Sequence, residues 1–221
     1  MVALGLAGTL VAGADPENPV GEGQDGGKKE GGVAWVSLAP EKGMGAWKGL
    51  NFGGEGETTW KEGVLTIKDG AELTGVVWGG KLPEAPYEIE LEARRTSGVD
   101  FFCGLTFPVR DKETCVTLVV GGWGGGVVGI SSIDGMDASE NETATFRAFK
   151  ENQWYKIRVA VRKNKLEAWI DADQLVEVDT TDRKLGMRFG SIEMCAPLGL
   201  ATWQTAAEVR GLQWRPIKKE E

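Results

Sequence analysis

A period-two alternation of apolar and polar residues limits this chain more than any other feature. "PYEIELEARR" (86–95) sets Tyr87, Ile89, Leu91 and Ala93 on one face and Glu88, Glu90, Glu92 and Arg94 on the other. "YKIRVAVRK" (155–163) alternates Tyr155, Ile157, Val159 and Val161 against Lys156, Arg158, Ala160 and Arg162. Successive side chains of a strand point to opposite faces, so these segments predict half-buried antiparallel strands. Asn164-Lys165 and the "DADQ" at 171–174 supply turns, and "LVEVDT" supplies a third strand of this meander. Further strands are expected near 63–68, 72–78, 99–107, 114–120, 126–130, 143–149, 190–195, 198–204 and 206–215. No long stretch carries a 3.6-residue period. About a dozen short strands separated by turns make an all-β sandwich or barrel.

Composition removes several classes of function. The chain has 221 residues, enough for one sizeable core. Its net charge is -8 and its sequence pI about 4.9, with no basic stripe to meet a phosphate backbone or an anionic membrane surface. Nucleic acid is therefore not an expected partner. The chain has no histidine. That removes most zinc sites, the Ser-His-Asp triad and the Cys-His dyad, and leaves acid–base chemistry to Asp, Glu, Lys, Tyr or Cys. Three cysteines cannot all pair within one chain. Cys103 and Cys115 flank an expected hairpin around "PVRDK" (108–112), directly opposite or one step apart. Direct opposition permits a disulfide, whereas the diagonal, with Cα atoms ~7–8 Å apart, does not. Both share strand parity with apolar neighbours, and buried thiols are the expectation taken.

The start, "MVALGLAGTLVAGADPENP", reads as an export signal over residues 1–14. Its apolar run ends in Ala12-Gly13-Ala14, which suits cleavage before Asp15, although no basic residue precedes the run. A short buried strand or helix is the competing reading. The run is too short for a membrane span, which needs ~20 residues. Residues 15–32, rich in Gly, Pro and charge, read as a flexible linker. A single domain is expected over 33–217, followed by a charged tail, 218–221. An exported protein, periplasmic or extracellular, follows from the leader.

"GGWGGG" (121–126) places Trp123 among five glycines. Glycine within a strand marks close approach of a ligand or of another backbone. Trp123 is either a stacking platform for a ligand or a plug that fills space left by missing side chains. An acidic segment follows, with Asp134, Asp137, Glu140 and Glu142 around Asn141. It could supply an acid and a base, bind a ligand, form a calcium site from Asp134, Asp137 and Glu140, or be a solvated loop. Asn141-Glu142-Thr143 is also a glycosylation sequon. On the polar face of 86–95, Glu92 and Arg94 stand near Asp100 of the next strand. If that face is concave, Glu92 and Asp100 converge beneath a ligand; if convex, they are solvated charges. Of nine tryptophans, Trp35, Trp60 and Trp214 occupy core positions, Trp169 lies on the polar side of its strand, and Trp203 ends "LGLATW".

The order of the motifs resembles the 3-keto-disaccharide hydrolase family, within the concanavalin A-like lectin/glucanase superfamily. The resemblance is carried by Trp47-Lys48, then Trp60 with Gly63-Val64-Leu65, then Glu92 and Arg94 with Ser97-Gly98-Val99. Trp154 and Ile157 in the meander, Leu198-Gly199-Leu200, and Arg210-Gly211-Leu212 complete it over about residues 33–217. Thr96 stands where the family has Asn. Residues 171–173 replace an Asn-Gly turn, and Thr117 lies near a place usually acidic. The resemblance implies a concanavalin A-like jelly-roll β-sandwich of two antiparallel sheets, acting on carbohydrate. It implies cleavage of the glycosidic bond of a 3-keto-glycoside, and by position Glu92, Asp100, Asp134 and Glu142 are the candidate acids and bases. Trp123, Arg94 and Asn141 are candidate substrate-binding residues. No cofactor is assigned, and a divalent cation could hold the enolate. A non-catalytic glycan-binding module and a structural surface domain are the rival functions.

Overall fold

A computed structural model describes residues 33–218; the expected leader, the linker and the end of the tail lie outside the described residues. In chain order the first strands are β1 (Val36–Ser37), β2 (Trp47–Gly49), β3 (Thr58–Lys61), β4 (Val64–Ile67) and β5 (Leu73–Trp78). Then come β6 (Tyr87–Gly98), β7 (Cys103–Pro108), β8 (Cys115–Gly121), β9 (Val127–Ser131) and β10 (Thr145–Phe146). The last are β11 (Tyr155–Val161), β12 (Lys165–Ile170), β13 (Asp173–Asp179), β14 (Gly199–Trp203) and β15 (Thr205–Pro216). They form two sheets. The first runs β13-β12-β11-β6-β15-β4-β3, with β1 also on β15, and the second runs β10-β9-β8-β7-β14-β5-β2. Every ladder among these strands is antiparallel. Of the sandwich or barrel that the alternation allows, this is the sandwich, with the jelly-roll form that the resemblance implies.

The alternation also explains the core. In β6, Tyr87, Ile89, Leu91 and Ala93 are fully buried, and in β11 so are Ile157, Val159 and Val161. They face Leu105 and Phe107 of β7, Leu118 of β8 and Ile130 of β9 across the sandwich. Burying each such side chain contributes ~1.5–3 kcal/mol. Tyr87 crosses between the sheets, its hydroxyl donating to the Pro108 carbonyl at 2.5 Å, and burial pushes its pKa up. Trp47 stacks on Trp60 at 6.0 Å and donates its indole N–H to the Leu38 carbonyl at 2.9 Å. The core tryptophan expectation holds best for Trp60; Trp214 packs against the core only partly, and Trp35 lies under Arg215.

Three local expectations are corrected. Residues 191–195 form a 3-10 turn, Ser191–Cys195, rather than a strand, because Glu193 reaches back to accept the Gly190 N–H and Cys195 turns inward. The strand expected at 143–149 shrinks to β10. The hairpin turn lies at 109–114, so Cys103 pairs with Val120 and Cys115 with Pro108, at opposite ends of the ladder. All three cysteines are free and buried, and burial pushes the Cys103 and Cys195 thiols up to about 12 and Cys115 to about 11.

Candidate functional site

The outer face of the second sheet is floored with small side chains. Gly75, Ala201, Gly104, Val119 and Gly129 lie in one transverse row across β5, β14, β7, β8 and β9. Gly199, Thr106, Thr117 and Ser131 form the next row. Loops pack down on several of these glycines: a Cβ at Gly129 would lie 2.6 Å from the Ala138 carbonyl, and one at Gly199 2.5 Å from the Cys195 carbonyl. Between the loops remains a cavity of about 360 Å³. Thr117, Val119 and Ser131 form its floor. Asp100, Phe101 and Trp123 line it, as do Asp137, Arg188 and Phe189, and Glu72 and Trp203. Its size falls within the range of ~300–1,000 Å³ usual for ligand sites.

The glycine stretch is resolved by geometry. Gly122–Gly125 is a single turn joining β8 to β9, and Trp123 stands in the left-handed region at φ 48, ψ 56. Gly121, Gly124 and Gly125 also have positive φ. A bulky residue there costs roughly 1–3 kcal/mol, and such residues cluster at functional sites. The other glycines make room for what surrounds the turn. A Cβ at Gly121 would meet the Phe102 ring at 3.0 Å, and one at Gly126 the Phe146 ring at 2.1 Å. Trp123 is thus turned out to the cavity, 43% exposed. Asp100 holds this turn from the side: Oδ2 accepts the Gly124 N–H at 3.2 Å and Oδ1 its neighbour's, Phe101, at 2.7 Å.

The acidic segment divides in two. Asp137 enters the cavity, with its side chain 14% exposed. It accepts from the Ser131 hydroxyl at 2.5 Å, from the Arg188 guanidinium at 2.6 Å and from the Ala138 N–H at 2.8 Å. Asp134 and Glu142 do not line the cavity; both grip Arg183, Asp134 at 2.6 Å. Those bonds hold both carboxyls below the usual range and push the Arg183 pKa up. Asn141 is buried and structural in its contacts: its amide donates to the carbonyls of Ile130, Met136 and Asp137, and its Oδ1 accepts from Thr143. The sequon therefore has no free amide hydrogen in the fold. Glu140 is exposed, beside the Asp137 N–H. Among the described residues no group of three His, Cys, Asp or Glu is placed to hold a metal ion. Of the carboxylates considered for calcium, Asp134 is held by Arg183, Asp137 by Arg188, and Glu140 lies exposed at the Asp137 N–H, so the three do not converge on one point.

Glu92 and Arg94 lie on the outer face of the first sheet, on the far side of the sandwich from the cavity. Glu92 pairs with Arg210 at 2.7 Å and Arg94 with Glu208 at 2.6 Å. The structure thus brings Asp100, Trp123 and Asp137 to one cavity and leaves Glu92, Arg94, Asp134, Glu142 and Asn141 outside it. It adds Glu72, Arg188, Phe189 and Trp203. The missed signal was "GMRFG" (186–190), where glycines flank Arg188-Phe189 much as they flank Trp123, and Phe189 is 93% exposed.

The family described as the 3-keto-alpha-glucoside-1,2-lyase-like domain matches residues 34–218. The chain belongs to this family. It is thus a carbohydrate-active domain, in agreement with the order of motifs in the sequence. A comparison with curated protein sequences gave no match. Among solved structures, the chain is similar to a beta-glucanase from Bacillus licheniformis, at 9% identity and a TM-score of 0.55, over 86% of this chain and 100% of that one. It is also similar to the carbohydrate binding module CBM66 from Bacillus subtilis, at 10% identity and a TM-score of 0.51, over 78% and 96% of the two chains. At such identities the likeness establishes the shared jelly-roll fold. No helix among the described residues is long and apolar enough to cross a membrane.

Proposed function

We propose that the second-sheet cavity holds a glycoside and that the protein cleaves the glycosidic bond of a 3-keto sugar there, acting after export. The observation that carries this reading is the convergence of Asp137, Arg188, Asp100 and Glu72 with the uncovered ring of Trp123 in one cavity. Aromatic faces bind the C–H faces of sugars by apolar contact, and the acids and hydroxyls around them serve the sugar's polar edge. Export rests on the apolar leader and its Ala12-Gly13-Ala14 end.

A ketone at C3 acidifies the C2 proton. Asp137, the cavity carboxylate whose contacts include both an arginine and a hydroxyl, is the base that takes it. The released electron pair forms the C1=C2 double bond as the C1–O bond breaks, and Glu72 gives a proton to the leaving oxygen. Water then adds across C1=C2, which completes hydrolysis. Arg188 lies beside Asp137 and is positioned to hold the negative charge that builds on the C3 oxygen.

A specific observation favours a second reading, a glycan-binding module without catalysis. Asp137 accepts three hydrogen bonds and Asp100 two, so both carboxylates are already engaged. The experiment is an assay of the wild type on 3-keto-sucrose and 3-keto-trehalose beside sucrose and trehalose. Cleavage of a keto sugar supports the enzyme. Saturable binding without cleavage replaces it with the binding module, and neither result leaves only the surface-domain reading.

A further inference from the structure

Arg95 is an arginine in an apolar position. It lies on β6 in the inward series Tyr87, Ile89, Leu91, Ala93, and it is 8% exposed. A buried guanidinium is costly unless its donors are used, and its Nε has no partner. Several of its contacts gather at the turn that carries Trp123. The guanidinium lies over the Phe102 ring at 5.4 Å, and Nη2 donates to the Gly125 carbonyl at 2.9 Å. A Cβ at Gly121 would lie 3.2 Å from Nη2, and one at Gly125 2.9 Å from Nη1. The glycines on either side of Trp123 are thus moulded to this cation from below. Asp100 holds the same turn from the side, through the Gly124 N–H.

We propose that Arg95 is a positioning residue for the sugar platform: lying beneath Gly121 and Gly125, it holds the turn that presents Trp123 to the cavity. Arg95 touches no ligand itself and acts through the loop. The proposal rests on the reading of Trp123 as the surface a sugar stacks on. It also gives Gly125 a reason, since a Cβ there would press on the guanidinium, and at Gly121 one would crowd both the guanidinium and the Phe102 ring.

The test combines Arg95→Met, which keeps an apolar stem over Phe102, with Arg95→Lys, which keeps one donor for the Gly125 carbonyl. Amide exchange over residues 121–127 is measured alongside calorimetric affinity for 3-keto-sucrose, in wild-type and Trp123→Ala backgrounds, well below each melting temperature. Arg95→Met should speed exchange in this segment about tenfold and weaken binding about tenfold. In the Trp123→Ala background it should change affinity less than twofold, and Arg95→Lys should recover most of both losses. A general loss of stability would not erase the binding effect when Trp123 is absent. Unchanged exchange over 121–127, or an equal affinity loss in both backgrounds, overturns the proposal. If Trp123→Ala binds like the wild type, the platform reading fails by itself, and exchange still decides whether Arg95 holds the turn.

Discussion

The two outer faces of the sandwich obey the same alternation and come out opposite in character. On the first sheet the outward positions carry long charged side chains in complementary register. Lys156 meets Glu90, Arg158 and Arg215 meet Glu88, Arg210 meets Glu92, and Arg162 and Lys165 meet Glu167. The aromatic rings there are roofed by guanidinium groups: Arg94 and Arg210 lie 4.7 and 4.1 Å from Trp154, and Arg158 3.7 Å from Trp169. In the two central rows of the second sheet the outward positions are Gly, Ala, Thr, Ser and Val, and Trp123 stands uncovered beside a cavity. Long side chains close a sheet face by covering it. Small ones leave the face open, and the loops above then define a site. A tryptophan on a polar strand face is therefore no sign of a ligand until its neighbours' lengths are known.

The largest expected effect separates the faces by turnover. Asp137→Asn should lower cleavage of a 3-keto-glycoside by ~10²–10⁴-fold with little change in melting temperature. Glu92→Gln, on the first sheet, should leave turnover unchanged. Steady-state kinetics on both variants check this, and a large loss in Glu92→Gln alone would reverse the assignment. Next in size, Trp123→Ala should weaken ligand binding by about 1–3 kcal/mol, the worth of a ring buried against a sugar. A variant whose melting temperature drops while affinity holds would make Trp123 a plug after all. Trp154→Ala removes a ring held between two guanidinium groups and should cost stability of order 1–2 kcal/mol, read by denaturant unfolding, with ligand affinity intact. The smallest effect concerns the acids outside the cavity. Asp134 and Glu142 have lowered folded pKa values, chiefly from hydrogen bonds with Arg183. Their contribution to stability is therefore complete above the unfolded carboxyl value of ~4 and is lost as pH falls through the lowered values. The melting-temperature difference between wild type and Arg183→Met should hold steady from neutral pH down to about 5 and shrink toward zero at lower pH. A difference that persists undiminished in strong acid would contradict this pairing.

The sheets were legible because burial imposes period two directly on residues such as Ile89, Leu91, Ile157 and Val159. The site was legible only in part. Trp123 and Asp100 could be singled out because a glycine frame and a strand end are local signals. Whether the face of Glu92 opened onto a ligand was not local: it depended on Arg210 and Glu208, more than a hundred residues away in the chain. Among four nearby carboxylates, sequence spacing could not tell that Arg183 would claim Asp134 and Glu142 while Asp137 turned toward Ser131 and Arg188. Those choices are made by partners on segments that meet only in the fold. The Ser191–Cys195 turn was missed for a related reason: five residues with two apolar ones inside fit a strand or a 3-10 turn equally well.

If ligand meets the second-sheet face and no other, the two faces must respond differently to it. A backbone NMR titration with 3-keto-sucrose reads both faces at once. Shifts should concentrate at residues 121–126, Asp137, Arg188 and the floor of Thr117, Val119 and Ser131, with Glu88, Glu92, Arg94 and Trp154 unmoved. Shifts confined to the first-sheet lattice, with 121–126 and Asp137 silent at saturation, would contradict it.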